Sequence, residues 1–142
     1  MFTDEPKPEP EKRPAPATIM VVEDDPNTRK MLEVFLTKEG FDVKTAVHGI
    51  QLVRVLKVHQ PDLILLDIVL NWLDGYELCR MIRAHEEWSK IPVVFITGLP
   101  EDQVRERAFQ VGGTEVYFKP LDIPELIRGV RRILHLPEPE KS

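Results

Sequence analysis

Five short apolar segments alternate with segments of helical periodicity along this chain of 142 residues. The pattern predicts strands at 18–22, 41–47, 62–68, 91–97 and 115–119. The first, third and fourth are apolar on successive residues, which is typical of strands buried on both faces. This alternation indicates an α/β fold, in which helices cover both faces of a doubly wound, five-stranded parallel sheet.

The helical segments have recognisable ends. Asp25 is a candidate N-cap, Pro26 stands at the first helical position, and Gly40 ends that helix. Other helices are predicted near 49–59, 76–88 and 101–111, and a last one carries apolar residues at Ile123, Leu126, Ile127, Val130 and Ile133. Right-handed crossovers place the C-terminal ends of all the strands on one edge, where open α/β sheets bind ligands.

The two ends of the chain differ from its middle in composition. Residues 1–17 contain five of the thirteen prolines, with mixed charges and few apolar groups. Such a segment buries too little apolar surface to offset the entropy lost on ordering, which predicts a disordered arm. Residues 137–142 have a similar composition and predict a disordered tail, so the folded domain is expected over residues 18–136.

Charge and cysteine content restrict the expected partners and compartment. The formal net charge of -5 argues against nucleic acid or an anionic membrane as a direct partner, because both favour a basic surface. No apolar run approaches the roughly 20 residues that span a bilayer, and the N-terminus lacks the apolar core of a signal peptide. Cys79 is the only cysteine, so no internal disulfide is possible and a cytoplasmic location is expected.

Polar residues stand at the ends of four predicted strands: Glu23, Asp24, Asp25, Asp67, Thr97 and Lys119. Each has an ordinary alternative explanation, because acids cap helices, threonine favours strands and most lysines are surface charges. Two like charges about 4 Å apart repel by about 4 kcal/mol in a medium of dielectric constant ~20. Converging carboxylates therefore need compensating cations, of which Lys119 is one and a divalent metal would be another.

The ligands available at this edge favour magnesium. All are oxygens, and the four histidines, at 48, 59, 85 and 135, show no zinc-like spacing. Mg²⁺ accepts one or two carboxylates, keeps several waters and pairs with phosphate groups.

The chain resembles the receiver domain of two-component response regulators over roughly residues 18–136. Four motifs carry the resemblance: "IMVVEDDPNTRKML", "PDLILLDIVLNWLDGYEL", "IPVVFITG" and "YFKP". The intervals of 43 residues from Asp24 to Asp67, 30 to Thr97 and 22 to Lys119 also fit the family. The resemblance implies a flavodoxin-like (βα)5 fold with strand order 2-1-3-4-5, in a stand-alone protein similar to chemotaxis regulators.

The same resemblance implies a role for each residue of the site. Asp67 would be the phosphoacceptor and, with Asp24, a direct ligand of Mg²⁺. Glu23 would act on the metal mainly through water, and the backbone carbonyl of Val69 would complete the protein's share of the ligands.

Three further residues would lie around the phosphoryl group. Lys119 would hold one of its oxygens, Thr97 would move to hydrogen-bond it, and Gly98 would leave space for the donor. The donor would be a sensor histidine kinase or a phosphotransfer protein, and the output a downstream protein target. The resemblance implies a switch and not an enzyme, with Mg²⁺-dependent self-phosphorylation and slow autodephosphorylation only.

The chain departs from the family pattern at several positions. Glu23 replaces the commoner aspartate, and Asn71-Trp72 stands where Pro-Gly is usual, so that Trp72 either packs locally or offers a partner an apolar contact. Val116 occupies the usual aromatic position of strand five, and the alternation of side chains prevents the neighbouring Tyr117 from substituting. Both positions are candidates for a partner surface, and the aromatic switch of the family is in doubt here.

The loops that follow strands three and four depart as well. Val69 and Leu99 are apolar where a residue that orients water would stand, which predicts a long-lived phosphoryl group. Asp74 and Gly75 predict a turn into the third helix, with Gly75 supplying a backbone angle that other residues disfavour.

Three rival functions compete with the phosphorylation switch. An aspartyl-phosphate phosphatase would carry a second aspartate at the position of Val69, and a flavin or nucleotide carrier would want a Gly/Ser/Thr-rich loop in place of "EDDPN". The third rival is a receiver-like interaction module that works without phosphorylation. An output surface is expected around helix four, strand five and helix five, where several arginines lie: Arg105, Arg107, Arg128, Arg131 and Arg132.

Overall fold

The computed structural model describes residues 15–71 and 73–138, so Trp72 and most of the two predicted arms lie outside the described residues. Strands and helices alternate throughout. The strands are β1 (Thr18–Val22), β2 (Asp42–Ala46), β3 (Leu63–Asp67), β4 (Val93–Thr97) and β5 (Glu115–Phe118). The helices are α1 (Pro26–Lys38), α2 (Gly49–Val58), α3 (Gly75–Ala84), α4 (Glu101–Gln110) and α5 (Ile123–Ile133).

The five strands form one parallel sheet in the order β2-β1-β3-β4-β5, which confirms the predicted strand order. Every residue of β1, β3 and β4 is buried, whereas the edge strand β2 is largely exposed. This difference follows from position, because only the central strands are covered on both faces.

Two apolar clusters pack against opposite faces of the sheet. One joins the sheet to α2, α3 and α4, through residues that include Leu52, Leu78 and Val104; we call it the α2–α4 cluster. The other joins it to α1 and α5, through residues that include Leu36 and Leu126; we call it the α1–α5 cluster. Alternate residues of each strand supply the two clusters.

Short acidic side chains start three of the helices. Asp25, Asp74 and Asp122 cap α1, α3 and α5, each accepting a hydrogen bond from a backbone N–H in the first turn. Asp25 therefore acts as the predicted N-cap. Helix α3 was predicted to reach residue 88 but ends at Ala84. The segment that follows folds back so that Trp88 joins the core, and helical spacing alone does not reveal that turn.

The ends of the described chain contact the domain. Ala17, which was assigned to the arm, is half-buried against the α1–α5 cluster, and its carbonyl accepts a hydrogen bond from the Asp42 N–H. At the other end, the carbonyl of Pro137 accepts one from Arg131. Within residues 15–71 and 73–138, no helix combines the length and apolar character needed to cross a membrane.

Candidate functional site

Three carboxylates meet at the C-terminal edge of the sheet. Glu23 and Asp24 directly follow β1, and Asp67 is the last residue of β3. Because β1 and β3 are paired neighbours with Val22 opposite Leu66, the next residues along both strands face each other. One oxygen from each of Glu23, Asp24 and Asp67 lies within 4.8 Å of the others. The side chains of Glu23 and Asp67 are almost completely buried, whereas Asp24 is partly exposed.

Lys119 joins two of these carboxylates. Its ammonium Nζ donates hydrogen bonds to Glu23 Oε1 at 2.7 Å and to Asp67 Oδ2 at 2.9 Å. The lysine follows β5, and its backbone N–H donates to the carbonyl of Thr97 at 2.7 Å. The long side chain therefore spans from the fifth strand to the centre of the sheet, where it partly neutralises the acids.

Burial and charge shift the pKa values of this pair. Burial, followed by the neighbouring Asp67, raises the pKa of the Glu23 carboxyl to about 7, although Lys119 opposes the shift. Burial acts to lower the pKa of Lys119, but its hydrogen bonds to Glu23 and Asp67 outweigh burial and raise it. The lysine is therefore charged at neutral pH, whereas burial disfavours the charged form of Glu23.

Thr97 ends the buried strand β4 beside this cluster. Its side chain is fully buried, and its Oγ1 accepts a hydrogen bond from the Leu99 N–H at 3.1 Å. Gly98 between them is exposed, and a Cβ added there would meet no atom within 4 Å. The site is therefore open to solvent next to Gly98, where the sequence predicts that a donor approaches.

A hydrogen bond joins the backbone of the loop after β3 to the carboxylate of Asp67. The Val69 N–H donates to Asp67 Oδ1 at 3.0 Å, while the Val69 side chain is 56% exposed. The expectation for Gly75 was wrong in its reason, because no left-handed backbone angle occurs there. A Cβ on Gly75 would instead lie 2.5 Å from the carbonyl oxygen of Asp67, so the absence of a side chain permits close approach.

Arg29 is a site residue that the sequence analysis missed. Its Nη1 donates to the backbone carbonyls of Glu23 at 2.9 Å and Asp24 at 3.4 Å. The guanidinium thereby holds the turn that carries both acids. Only the position of Arg29 in the first turn of α1, facing back towards the preceding strand, could have indicated this contact.

Val116 and Tyr117 lie on opposite faces of β5, as the alternation of side chains predicted. Val116 is half-buried against the α2–α4 cluster, and Tyr117 is half-buried against the α1–α5 cluster. The Tyr117 hydroxyl donates to Glu115 Oε1 at 2.7 Å, and a Cβ added to Gly129 of α5 would overlap that hydroxyl. Tyr117 thus packs on α5 and not on α4.

This geometry is that of a phosphoryl-accepting signalling switch: buried acids and one lysine at the C-terminal edge of a doubly wound parallel sheet. Residues 19–131 match the family model "Response regulator receiver domain". The chain therefore belongs to the receiver domain family of two-component response regulators.

Known relatives agree with this assignment. The DNA-binding dual master transcriptional regulator RpaA of Synechocystis is 34% identical over 116 residues, which are 82% of this chain and 48% of the relative. The phosphate regulon transcriptional regulatory protein PhoB of Rhizobium meliloti is 34% identical over 122 residues, 86% of this chain and 54% of the relative. The chain thus spans about half the length of these curated relatives.

A solved structure shows the same fold. The receiver domain of sensor histidine kinase PA1611 from Pseudomonas aeruginosa PAO1 is 35% identical and superimposes with a TM-score of 0.76, covering 83% of this chain and 97% of that chain. That domain was solved with a magnesium ion coordinated in its active site cleft.

Proposed function

We propose that the chain accepts a phosphoryl group on Asp67 in a Mg²⁺-dependent reaction and signals through the surface that this modification alters. The observation that carries the proposal is the cluster of Glu23, Asp24 and Asp67, in which one oxygen from each residue lies within 4.8 Å of the others. In the transfer, an oxygen of the Asp67 carboxylate forms a bond to phosphorus while the bond from phosphorus to the donor breaks. The donor's leaving group departs with the electron pair of that bond.

The residues present fit a magnesium ion. Their donor set consists of carboxylate oxygens, which are ligands that Mg²⁺ prefers, and three acids this close together favour a bound cation. Asp24 and Asp67 would bind it directly, Glu23 through water, and the carbonyl of Val69 would add a backbone ligand. When bound, the ion supplies positive charge that offsets the charge on the phosphoryl oxygens.

Lys119 and Thr97 complete the proposed site. The Lys119 ammonium already lies 2.9 Å from an Asp67 oxygen, within reach of a group attached there. Thr97 ends the strand next to β3 and would exchange its hydrogen bond from Leu99 for one to the phosphoryl group. The open space at Gly98 would let a bulky donor approach.

We propose a sensor histidine kinase or a phosphotransfer protein as the donor and a downstream protein as the target, in the cytoplasm. The absence of a direct nucleic-acid contact stays a prediction that rests on the net charge of -5. Relatives such as RpaA are named as DNA-binding, but this chain matches only about half of their length.

The test is to incubate the protein with Mg²⁺ and acetyl phosphate and to record its intact mass beside an Asp67→Asn control. We expect a single phosphoryl adduct that requires Mg²⁺, is absent from the control and is lost at alkaline pH, since acyl phosphates are labile there. The absence of an adduct from a folded protein that also fails to bind Mg²⁺ would contradict the proposal. That result would favour an interaction module that works without phosphorylation.

A further inference from the structure

Strand β5 presents an aromatic ring beside Thr97 at a position other than residue 116. In the register of β4 and β5, Phe118 is the direct partner of Thr97. Phe95 and Phe118 both belong to the α2–α4 cluster, and the alternation of side chains sends Thr97 to the same face as Phe95. Thr97 and Phe118 are therefore cross-strand neighbours on the face that α4 covers.

Helix α4 contacts this ring through a charged side chain. The Arg105 guanidinium carbon lies 5.3 Å from the centroid of the Phe118 ring, within the range of a cation–π contact. Arg105 also forms an ion pair with Glu101, one turn earlier on the same helix. An aromatic ring thus stands between the end of β4 and the first two turns of α4.

The other candidates on β5 are poorly placed for this role. Val116 is β-branched, so its side chain has little rotational freedom, and it has no ring to reorient. Tyr117 lies on the opposite face, where Glu115 accepts its hydrogen bond and Gly129 packs beneath its hydroxyl. Phe118 is the residue of β5 that faces α4, neighbours Thr97 and carries a ring.

We propose that Phe118 transmits the movement of Thr97 to helix α4, with Arg105 as its contact on the helix. The proposal rests on the phosphorylation of Asp67 proposed above. When Thr97 exchanges its hydrogen bond from the Leu99 N–H for one to the phosphoryl group, the space next to the Phe118 ring changes. The ring shifts with it, and the guanidinium of Arg105 follows the face of the ring. Phosphorylation thereby repositions the exposed side of α4.

The test follows the backbone amide signals of Glu101–Gln110 by NMR, with Mg²⁺ alone and after addition of acetyl phosphate. Intact mass is recorded on the same samples. In the wild type we expect the α4 amides to shift when the adduct forms. In Phe118→Leu we expect the adduct and the shifts around Asp67 and Thr97 to persist while the α4 shifts are lost. Phe118→Tyr, which keeps the ring, should retain them.

Two further variants keep the test independent of folding. Arg105 is largely exposed, so Arg105→Gln should leave the fold intact and reduce the α4 shifts. Phe35→Leu makes the same aliphatic replacement on α1, across the sheet, and should keep the wild-type α4 response. If Phe118→Leu or Arg105→Gln forms the adduct and still shows wild-type α4 shifts, the role of Phe118 is overturned and the proposed function is not. The absence of an adduct from the wild type would instead overturn the proposed function on which it depends.

Discussion

Val69 and Leu99 stand two residues beyond Asp67 and Thr97, in the loops that follow β3 and β4. The Val69 side chain is 56% exposed, and Leu99 is half-buried against the α2–α4 cluster. Neither side chain has a polar atom, so neither can orient or deprotonate an attacking water. At the scale of single residues, these two apolar side chains support the prediction that a phosphoryl group on Asp67 would be long-lived.

We therefore expect Val69→Asn or Leu99→Glu to accelerate dephosphorylation by about tenfold, equivalent to about 1.4 kcal/mol of activation free energy. The rate would be followed as loss of the adduct mass after removal of the donor. Val69→Leu, which is also apolar, should keep the wild-type rate. Equal rates in the wild type and both polar variants would show that another feature sets the lifetime of the adduct.

At the scale of elements, helix α5 packs closely against strand β5. The contact with α5 is close, because Gly129 lets the Tyr117 ring lie directly on the helix, and Arg132 forms an ion pair with Glu115 at 2.6 Å. Burial, supported by the hydrogen bond to Glu115, raises the pKa of the Tyr117 hydroxyl to about 12. The hydroxyl therefore stays protonated and donates its hydrogen bond at physiological pH.

We expect Gly129→Ala to destabilise the domain even though alanine is the better helix former. The added Cβ would overlap the Tyr117 hydroxyl oxygen, and overpacking of this kind costs about 1–3 kcal/mol, more than the ~1 kcal/mol gained in helix propensity. Urea denaturation would measure the free energy of unfolding. Combined with Tyr117→Phe, which removes the overlapping oxygen, Gly129→Ala should cost less. An equal cost in both backgrounds would rule out this contact as the cause.

At the scale of the whole molecule, the acid cluster costs folding free energy when no cation is bound. The folded-state pKa of Glu23 is about 7, above its ordinary value of 4.5, so the folded protein binds more protons than the unfolded chain between these pH values. The associated stability is fully present below about pH 4.5 and is lost as the pH rises through 7.

In EDTA at pH 8, Glu23→Gln should raise the free energy of unfolding by about 1–3 kcal/mol relative to the wild type. It should also flatten the dependence of stability on pH between about 5 and 8, because the titrating group is gone. Urea denaturation across this range provides the measurement. Glu33→Gln is the matched control, since Glu33 lies on the exposed side of α1. A wild-type stability that does not fall with rising pH would contradict the raised pKa.

Much of this molecule is predictable from its sequence, because strand ends converge wherever parallel strands share a sheet. The pattern of apolar runs predicted the five strands, and the resemblance to receiver domains implied their order, which the structure confirms. Contacts between segments that are distant in sequence were harder to predict. Three features depend on packing between distant segments, which local sequence patterns do not show. They are the hydrogen bonds of Arg29 to two backbone carbonyls, the close approach of Gly75 to Asp67 and the turn that brings Trp88 into the core.

The close approach at Gly75 gives α3 a direct backbone contact with the centre of the sheet. The Gly75 N–H donates to the carbonyl of Ile68 at 2.7 Å, and the glycine rests against the backbone of Asp67, so the start of α3 is anchored to the end of β3. Helix α4 begins after Pro100 without the side-chain cap that starts α3. We therefore expect a new charge at Asp67 to displace the start of α4 more readily than the start of α3.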